Sequence, residues 1–161
     1  MALLAEAGVD LLADVRSIPR SRTNPQFNRE VLPESLSGAR IGYRYLPALG
    51  GRRHRPRGAA PSPNGYWQND SFRSYADYAA TEPFRAGLEE LCGLAERHRC
   101  AIMCAEAVWW RCHRRIITDY LLARGFPVRH ILGGNHIDPA TPTPGVQALG
   151  NGTLVYPAAQ P

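Results

Sequence analysis

Lysine is absent from this chain of 161 residues, and all 19 basic residues are arginine. A GC-rich coding sequence accounts for the bias, but its physical consequence stands. Arginine presents a rigid fork suited to phosphate and carboxylate, whereas lysine presents a compact point charge. No stretch of about 18 apolar residues exists, which excludes a membrane-spanning helix. The opening MALLAEAGVDLLADVR lacks a basic n-region and carries Glu6 and Asp10, so it does not read as a signal peptide; cytoplasmic residence is the expectation. Cysteine is scarce, with four residues and no C-x-x-C pair. They read as free thiols, ligands or nucleophiles rather than a disulfide framework. No internal repeat is present.

What is there suits one globular domain. An apolar fraction of 44% argues against wholesale disorder, and the length allows a real core. The charge is unevenly placed. Residues 14–57 hold ten arginines against Asp14, Glu30 and Glu34, a net +7; residues 58–161 hold nine against nine acids; residues 1–13 contribute −2. The basic character belongs to one segment. It suits an anionic partner (a small molecule or nucleic acid) or simply a solvated face.

The pattern predicts alternating strands and helices. A helix end over 2–7 stops at Gly8, and Val9–Val15 reads as a buried strand. Ile18–Pro25 is irregular, Asn28–Gly38 a short helix and Ile41–Leu46 a second strand. Residues 47–71 form a long loop around Gly50-Gly51 and an Arg/His cluster. Helices are expected over Ser71–Ala80 and from Thr81 through Ala95, where Phe84, Leu88, Leu91 and Ala95 recur at helical spacing. A strand over Arg99–Ala105, a helix over Cys112–Ala123 stopped by Gly125, and a last short strand over Pro127–Leu132 follow. This is an α/β pattern: a single three-layer domain over 1–132, with a mainly parallel sheet and helices on both faces. Residues 133–161 read as a Gly/Pro-rich C-terminal tail packed on that domain and wrapping its surface.

In parallel sheets, ligands bind beyond the carboxyl ends of the strands. Two predicted strands end in polar clusters. One is Asp14-Val-Arg16-Ser17, continuing to Arg20, Ser21 and Arg22. The other is Cys104-Ala-Glu106, followed by Arg111, Cys112, His113 and Arg114. A cysteine beside arginines at a helix N-terminus is biased towards thiolate, the reactive form. Cys104 has a second reading as a packed core thiol, and Arg111, Arg114 and His113 as solvated residues. Cys92 and Cys100 read as packing residues, and Tyr66 and Trp67 as anchors of the long loop. Of Tyr43 and Tyr45, at least one is expected in the core. His54 and His136 read as loop residues, and His130 faces either the site or the opposite layer.

The motifs DVRSIPRSR (14–22), LPALGGRR (46–53), FRSYADY (72–78), MCAE (103–106), CHR (112–114) and VRHIL (128–132) resemble an uncharacterised family catalogued as domain of unknown function 488. They fall in family order and cover the chain to about residue 132. The resemblance implies an α/β domain and no established activity, so it points to positions rather than to a function. It also implies a further strand and a His/Ser-bearing turn ahead of the first helix. This chain starts inside that helix, so a gene start assigned too late is the expectation. Trp109 stands where family members often have proline.

Three functions compete. The leading one is an enzyme, a cysteine-dependent hydrolase or transferase acting on a nucleotide-like or phosphorylated substrate. Cys112 is its nucleophile, Cys104 and His113 belong to its site, and Glu106 is its general acid or base. Arg16, Arg20, Arg22, Arg111 and Arg114, with Ser17 and Ser21, would hold the anion, and Asp14 would orient an arginine. Adjacent helical residues point apart, which makes His113 a poor proton acceptor for Cys112. The second is a nucleic-acid-binding module without catalysis, built on segment 16–57 with Phe27, Tyr43 and Tyr45 and assisted by Trp109 and Trp110. The third is a metal site of Cys104, Cys112 and His113 with His130 or Glu106, against which the seven-residue gap between the thiols argues. No cofactor is implied by any motif.

Overall fold

The computed structural model describes residues 1–133 and 136–159. Three parallel strands form the central sheet: β1 (Leu11–Asp14), β2 (Gly42–Tyr45) and β3 (Cys100–Met103), in the order β2-β1-β3. Leu11 of β1 lies opposite Gly42 and Cys100, and Asp14 opposite Tyr45 and Met103, so all three strands end together. β1 has neighbours on both sides and every residue of it is buried, which explains its unbroken apolar run. β2 has a partner on one side only, and its residues alternate between exposed and half-buried.

Successive strand residues face opposite sides of the sheet. Leu12 joins one core with Val9, Leu32, Leu36 and Ile41, against which Leu4 and Ala7 pack. These residues come from the helices α1 (Ala2–Glu6) and α2 (Leu32–Gly38) and their flanks. Ala13 and Val15 join a larger core with residues of α3 (Asp70–Tyr78), α4 (Glu82–Ala95) and α5 (Arg114–Ala123). In α4, Phe84, Leu88 and Leu91 fall on one stripe and are each 1% exposed; burying such side chains stabilises by roughly 1.5–3 kcal/mol apiece. Cys92 lies beside them as a packed thiol. The Asn69 side chain accepts from the Ser71 and Phe72 backbone N–H groups and so fixes the start of α3.

Several boundaries differ from the sequence pattern. α2 begins at Leu32 rather than Asn28, and β3 ends at Met103, so Cys104 lies just past the strand. α5 begins at Arg114. Cys112 precedes it in extended conformation (φ −139°, ψ 162°), with His113 as the N-cap. Gly125 does end the helix, at φ +83°, where a side chain would be strained. The expected last strand is not part of the parallel sheet. β4 (Arg129–Gly133) pairs antiparallel with β5 (His136–Pro139), which places His136 in a strand rather than a loop. Tyr43 and Tyr45 are both half-buried, so neither lies in the core proper.

Of the Gly/Pro-rich tail, residues 134–135 and 160–161 lie outside the described residues. The rest does more than wrap a surface. A short ladder pairs β6 (Gln147–Ala148) with β7 (Leu154–Val155), and Leu154 and Tyr156 are buried in the larger core. Tyr156 donates to Asp119 Oδ2 at 2.9 Å, and its backbone N–H donates to Asn64 Oδ1 at 2.9 Å. Trp67 packs against the Tyr156 ring, so the aromatic pair Tyr66-Trp67 does anchor the long loop.

Candidate functional site

Because β1 and β3 are parallel and end in register, their polar termini lie side by side. The Val15 N–H donates to Met103 O at 2.9 Å, tying Asp14–Ser17 to the chain entering Cys104. From there residues 104–108 run irregularly to a single turn of 3-10 helix (Trp109–Arg111), and the chain reaches Cys112 and α5.

The two thiols meet. Cys104 Sγ lies 3.1 Å from Cys112 Sγ and donates to it. Arg114 folds back onto the same sulfur, with Nε at 3.0 Å and its backbone N–H at 3.3 Å. The other end of its guanidinium donates to Glu106 O at 2.6 Å. The Glu106 N–H in turn donates to Cys104 Sγ at 3.2 Å. Cys112 is 4% exposed and Cys104 half-buried. The Cys104 S–H, the His113 ring and the Arg114 guanidinium hold the Cys112 thiol well below the ordinary range, against a burial penalty that opposes them. Cys104 moves the opposite way, raised by donating to Cys112 and by burial. The arrangement is a pair of sulfurs in which donors gather on Cys112 Sγ, ahead of the N-terminus of a ten-residue helix.

His113 is held from three sides. Its Nε2 lies 2.8 Å from Val15 O, the Tyr75 ring meets it edge-on at 5.0 Å between centroids, and Gly51 lies against Nδ1. A Cβ on Gly51 would stand 2.4 Å from Nδ1, so this position tolerates only glycine without displacing the imidazole. Gly50 is similarly confined, since a Cβ there would fall 2.6 Å from Ser17 Oγ. Ser17 Oγ accepts the Arg52 N–H at 2.8 Å. Two tyrosines of α3 fasten this turn: Tyr75 donates to Leu49 O at 2.8 Å and Tyr78 to Ala48 O at 2.7 Å. Gly50, Gly51, Tyr75 and Tyr78 thus shape the site, although their sequence signals were only a turn and an aromatic helix. Nothing local in the sequence reveals that Gly51 and Tyr75 meet His113.

The other candidates divide. Asp14 is fully buried and engages Arg16 bidentately, with Nε–Oδ1 at 2.8 Å and Nη2–Oδ2 at 2.6 Å; Tyr43 also donates to Asp14, at 2.6 Å. Arg16 is itself 6% exposed and donates to Phe27 O. Its guanidinium therefore faces a carboxylate rather than open solvent. Arg20 pairs with Glu30 at the surface, and the Ser21 N–H and hydroxyl hold the turn to Asn28 and Asn24. Arg22 and Arg111 are exposed, and no hydrogen bond joins either to the thiols among the described residues. Glu106 reaches the site through its backbone, while the residue itself is exposed. His130 stacks on Trp109 at 3.8 Å, and its buried Nε2 has no hydrogen-bond partner among the described residues.

Cys104, Cys112 and His113 offer ligand atoms within 4.8 Å of one another, the one such cluster among the described residues. Two sulfurs on a common tetrahedral zinc stand about 3.7 Å apart, given Zn–S bonds near 2.3 Å. The separation here is shorter, at 3.1 Å, and His113 Nε2 is already engaged by Val15 O. The geometry therefore fits sulfur–sulfur chemistry better than a closed metal centre.

In the basic segment, Arg16, Arg20, Arg44 and Arg55 (four of its ten arginines) lie in ion pairs. Two of the acids, Glu90 and Asp77, come from outside the segment, so the fold lowers the charge density that the sequence suggests. No helix among the described residues is long and apolar enough to cross a membrane.

No curated protein and no solved structure matches the chain. The family model that does match covers residues 1–121, a span holding both thiols, Arg114, His113, the Gly50-Gly51 turn and the Asp14–Arg16 pair, and the chain belongs to that family, described as Domain of unknown function DUF488.

Proposed function

We propose that the protein is a cytoplasmic enzyme that uses Cys112 as a nucleophile on a small or narrow anionic substrate, nucleotide-like or phosphorylated, within a three-layer domain over residues 1–132 carrying the tail 133–161. One observation carries this reading: three donors converge on Cys112 Sγ, from Cys104, Arg114 Nε and the Arg114 backbone. Thiols removed from water without such donors are pushed up, as burial does to the half-buried Cys100. A thiolate held in this way attacks an electrophilic carbon or phosphorus at neutral pH, in hydrolysis or group transfer. At 4% exposure, Cys112 meets only the reacting end of a substrate. Arg111, exposed and next in the chain, guides the anionic end, and the Asp14–Arg16 pair fixes the neighbouring strand terminus. The structure does not present the Glu106 carboxyl to either sulfur, so proton delivery falls to Cys104, whose S–H already points at the reacting atom.

The test is the pH dependence of Cys112 alkylation in the wild-type chain, read by peptide mass spectrometry with iodoacetamide and with iodoacetate. Rapid labelling well below pH ~8.5, faster with the anionic reagent, supports the reading. Labelling that follows an ordinary thiol titration, without preference for iodoacetate, overturns it.

A further inference from the structure

We propose that Cys104 and Cys112 form a reversible intramolecular disulfide, with Cys112 attacking a small hydroperoxide and Cys104 resolving the product. The inference rests on Cys112 being the nucleophile, and it adds an activity and an oxidant class to that reading. Four observations carry it.

First, the sulfurs are 3.1 Å apart, so closing to a bond of about 2.05 Å requires a movement of only about 1 Å. Secondly, neither cysteine is locked in regular structure. Cys104 lies beyond the last residue of β3, and Cys112 is extended ahead of the first residue of α5. Thirdly, burial favours a small electrophile, because Cys112 is 4% exposed and Cys104 is the more open of the two. Fourthly, the remaining cysteines do not compete. Cys92 packs in the larger core, and no sulfur contact joins Cys100 to either thiol among the described residues.

The chemistry balances in two steps. The Cys112 thiolate attacks the terminal oxygen of the hydroperoxide. An S–O bond forms, the O–O bond breaks, and the departing alkoxide or hydroxide takes a proton from solvent; Cys112 becomes a sulfenic acid. Cys104 then attacks that sulfur. The S–S bond forms, the S–O bond breaks, and the thiol proton of Cys104 leaves with the hydroxyl as water. The two sulfurs are oxidised and the peroxide is reduced to an alcohol or water. A dithiol reductant restores the pair by exchange. Arg114 serves the first step by holding the thiolate, and the Glu106 N–H holds Cys104 Sγ in place for the second.

The arrangement also makes a disulfide easy to assign. Arg111 lies between the two cysteines, so trypsin separates them, and an oxidised pair survives as the peptide Cys100–Arg111 joined to Cys112-His113-Arg114. The full chain is treated with hydrogen peroxide, digested without reduction, and alkylated in parallel. The expected result is the linked peptide, bonded through Cys104 by fragmentation, with a mass deficit of two hydrogen atoms. Loss of Cys112 alkylation should accompany it, and dithiothreitol should reverse both. In Cys104→Ser, the sulfenic acid should persist on Cys112 and be trapped by dimedone.

A wild-type chain that alkylates rapidly at Cys112 yet gives no linked peptide overturns this inference and leaves the nucleophile reading standing. A chain in which Cys112 titrates as an ordinary thiol overturns both. Oxidation of Cys104 at an undiminished rate in Cys112→Ser reverses the roles and also overturns the assignment. The wild-type measurement depends on no variant, so it decides even if a substitution impairs folding.

Discussion

Two arginines at neighbouring edges of this fold make the same local gesture with different consequences. Arg16 turns back on Asp14, two residues earlier, through its backbone N–H at 3.1 Å and its Nε at 2.8 Å. Arg114 turns back on Cys112, two residues earlier, through its backbone N–H at 3.3 Å and its Nε at 3.0 Å. Asp14 brings a carboxyl group into full burial. Burying it demands a partner, and Arg16 with Tyr43 supplies the donors. Cys112 is an ordinary thiol without its partners, and the same geometry lowers its pKa. One pair satisfies a buried carboxyl, and the other favours the ionised form of a thiol. The lesson is that the identity of the anion decides whether a folded-back arginine is structural or chemical.

The comparison can be broken at its structural half first. Asp14→Ala leaves Arg16 buried without its carboxylate, and removing one partner of a buried pair costs about 3–5 kcal/mol. Urea denaturation should show a loss of that size; a loss below about 1 kcal/mol would mean that Arg16 escapes to solvent and the pair is dispensable.

Gly51→Ala tests what holds the chemical half. The added methyl collides with His113 Nδ1, and overpacking of this kind costs about 1–3 kcal/mol. Slower alkylation of Cys112 should accompany the lower denaturation midpoint. Unchanged stability and reactivity together would show that the turn yields at no cost.

Arg114→Met sharpens the contrast by sparing the fold while removing the charge. Cys112 should return towards the ordinary thiol range, and its alkylation near neutral pH should slow by about tenfold, since only a few per cent of an unassisted thiol is ionised there. Higher intrinsic nucleophilicity of the less acidic thiolate offsets part of the loss. Stability should also respond to pH with a definite sign. The folded chain holds the Cys112 thiol below the ordinary range, in which the unfolded chain gives up that proton. The contribution is therefore complete above the unfolded thiol's pKa and is lost as pH falls towards the depressed folded value. Arg114→Met should flatten that slope, and an unaltered slope would place the thiolate's stabilisation elsewhere.

The smallest effect belongs to Arg20→Ala. Its pair with Glu30 is exposed at both ends, and such pairs are screened by solvent and salt. Neither the denaturation midpoint nor Cys112 reactivity should move measurably. A clear loss of iodoacetate labelling would instead bring Arg20 into the anion-binding role that its sequence neighbourhood suggests.

Much of this was legible beforehand. The buried run at β1, the stripe Phe84, Leu88, Leu91 in α4, the stop at Gly125 and the polar strand ends all follow from periodicity and turn chemistry. The nearness of Cys112 to the head of a helix follows as well, although the pattern starts that helix at Cys112 and the fold starts it at Arg114. The role of the tail was not legible. Gly and Pro content marks 133–161 as irregular, but irregular backbone can still deliver a Tyr156 into the core. The pairing of β4 with β5 has no signature in the sequence, because a short apolar run does not reveal which strand it will meet. The sequence points to Glu106 through its carboxyl, whereas the fold uses its peptide N–H and carbonyl, groups that every residue owns.

Alone, the sequence determined the order of strands and helices as far as β4, the absence of a membrane-spanning helix, the excess of arginine and the short list of residues with chemistry to offer. Tertiary structure alone decided that Arg16 is neutralised by Asp14 while Arg114 is turned on a sulfur, that Gly51 leaves room for an imidazole, and that Cys104 lies 3.1 Å from Cys112. The reason is physical. Periodicity and charge are properties of a residue and its near neighbours along the chain. A thiol's ionisation and its bonding partner depend on which groups share its buried space, and that is fixed only when β1 and β3 end together and the loop from Cys104 returns to the head of α5.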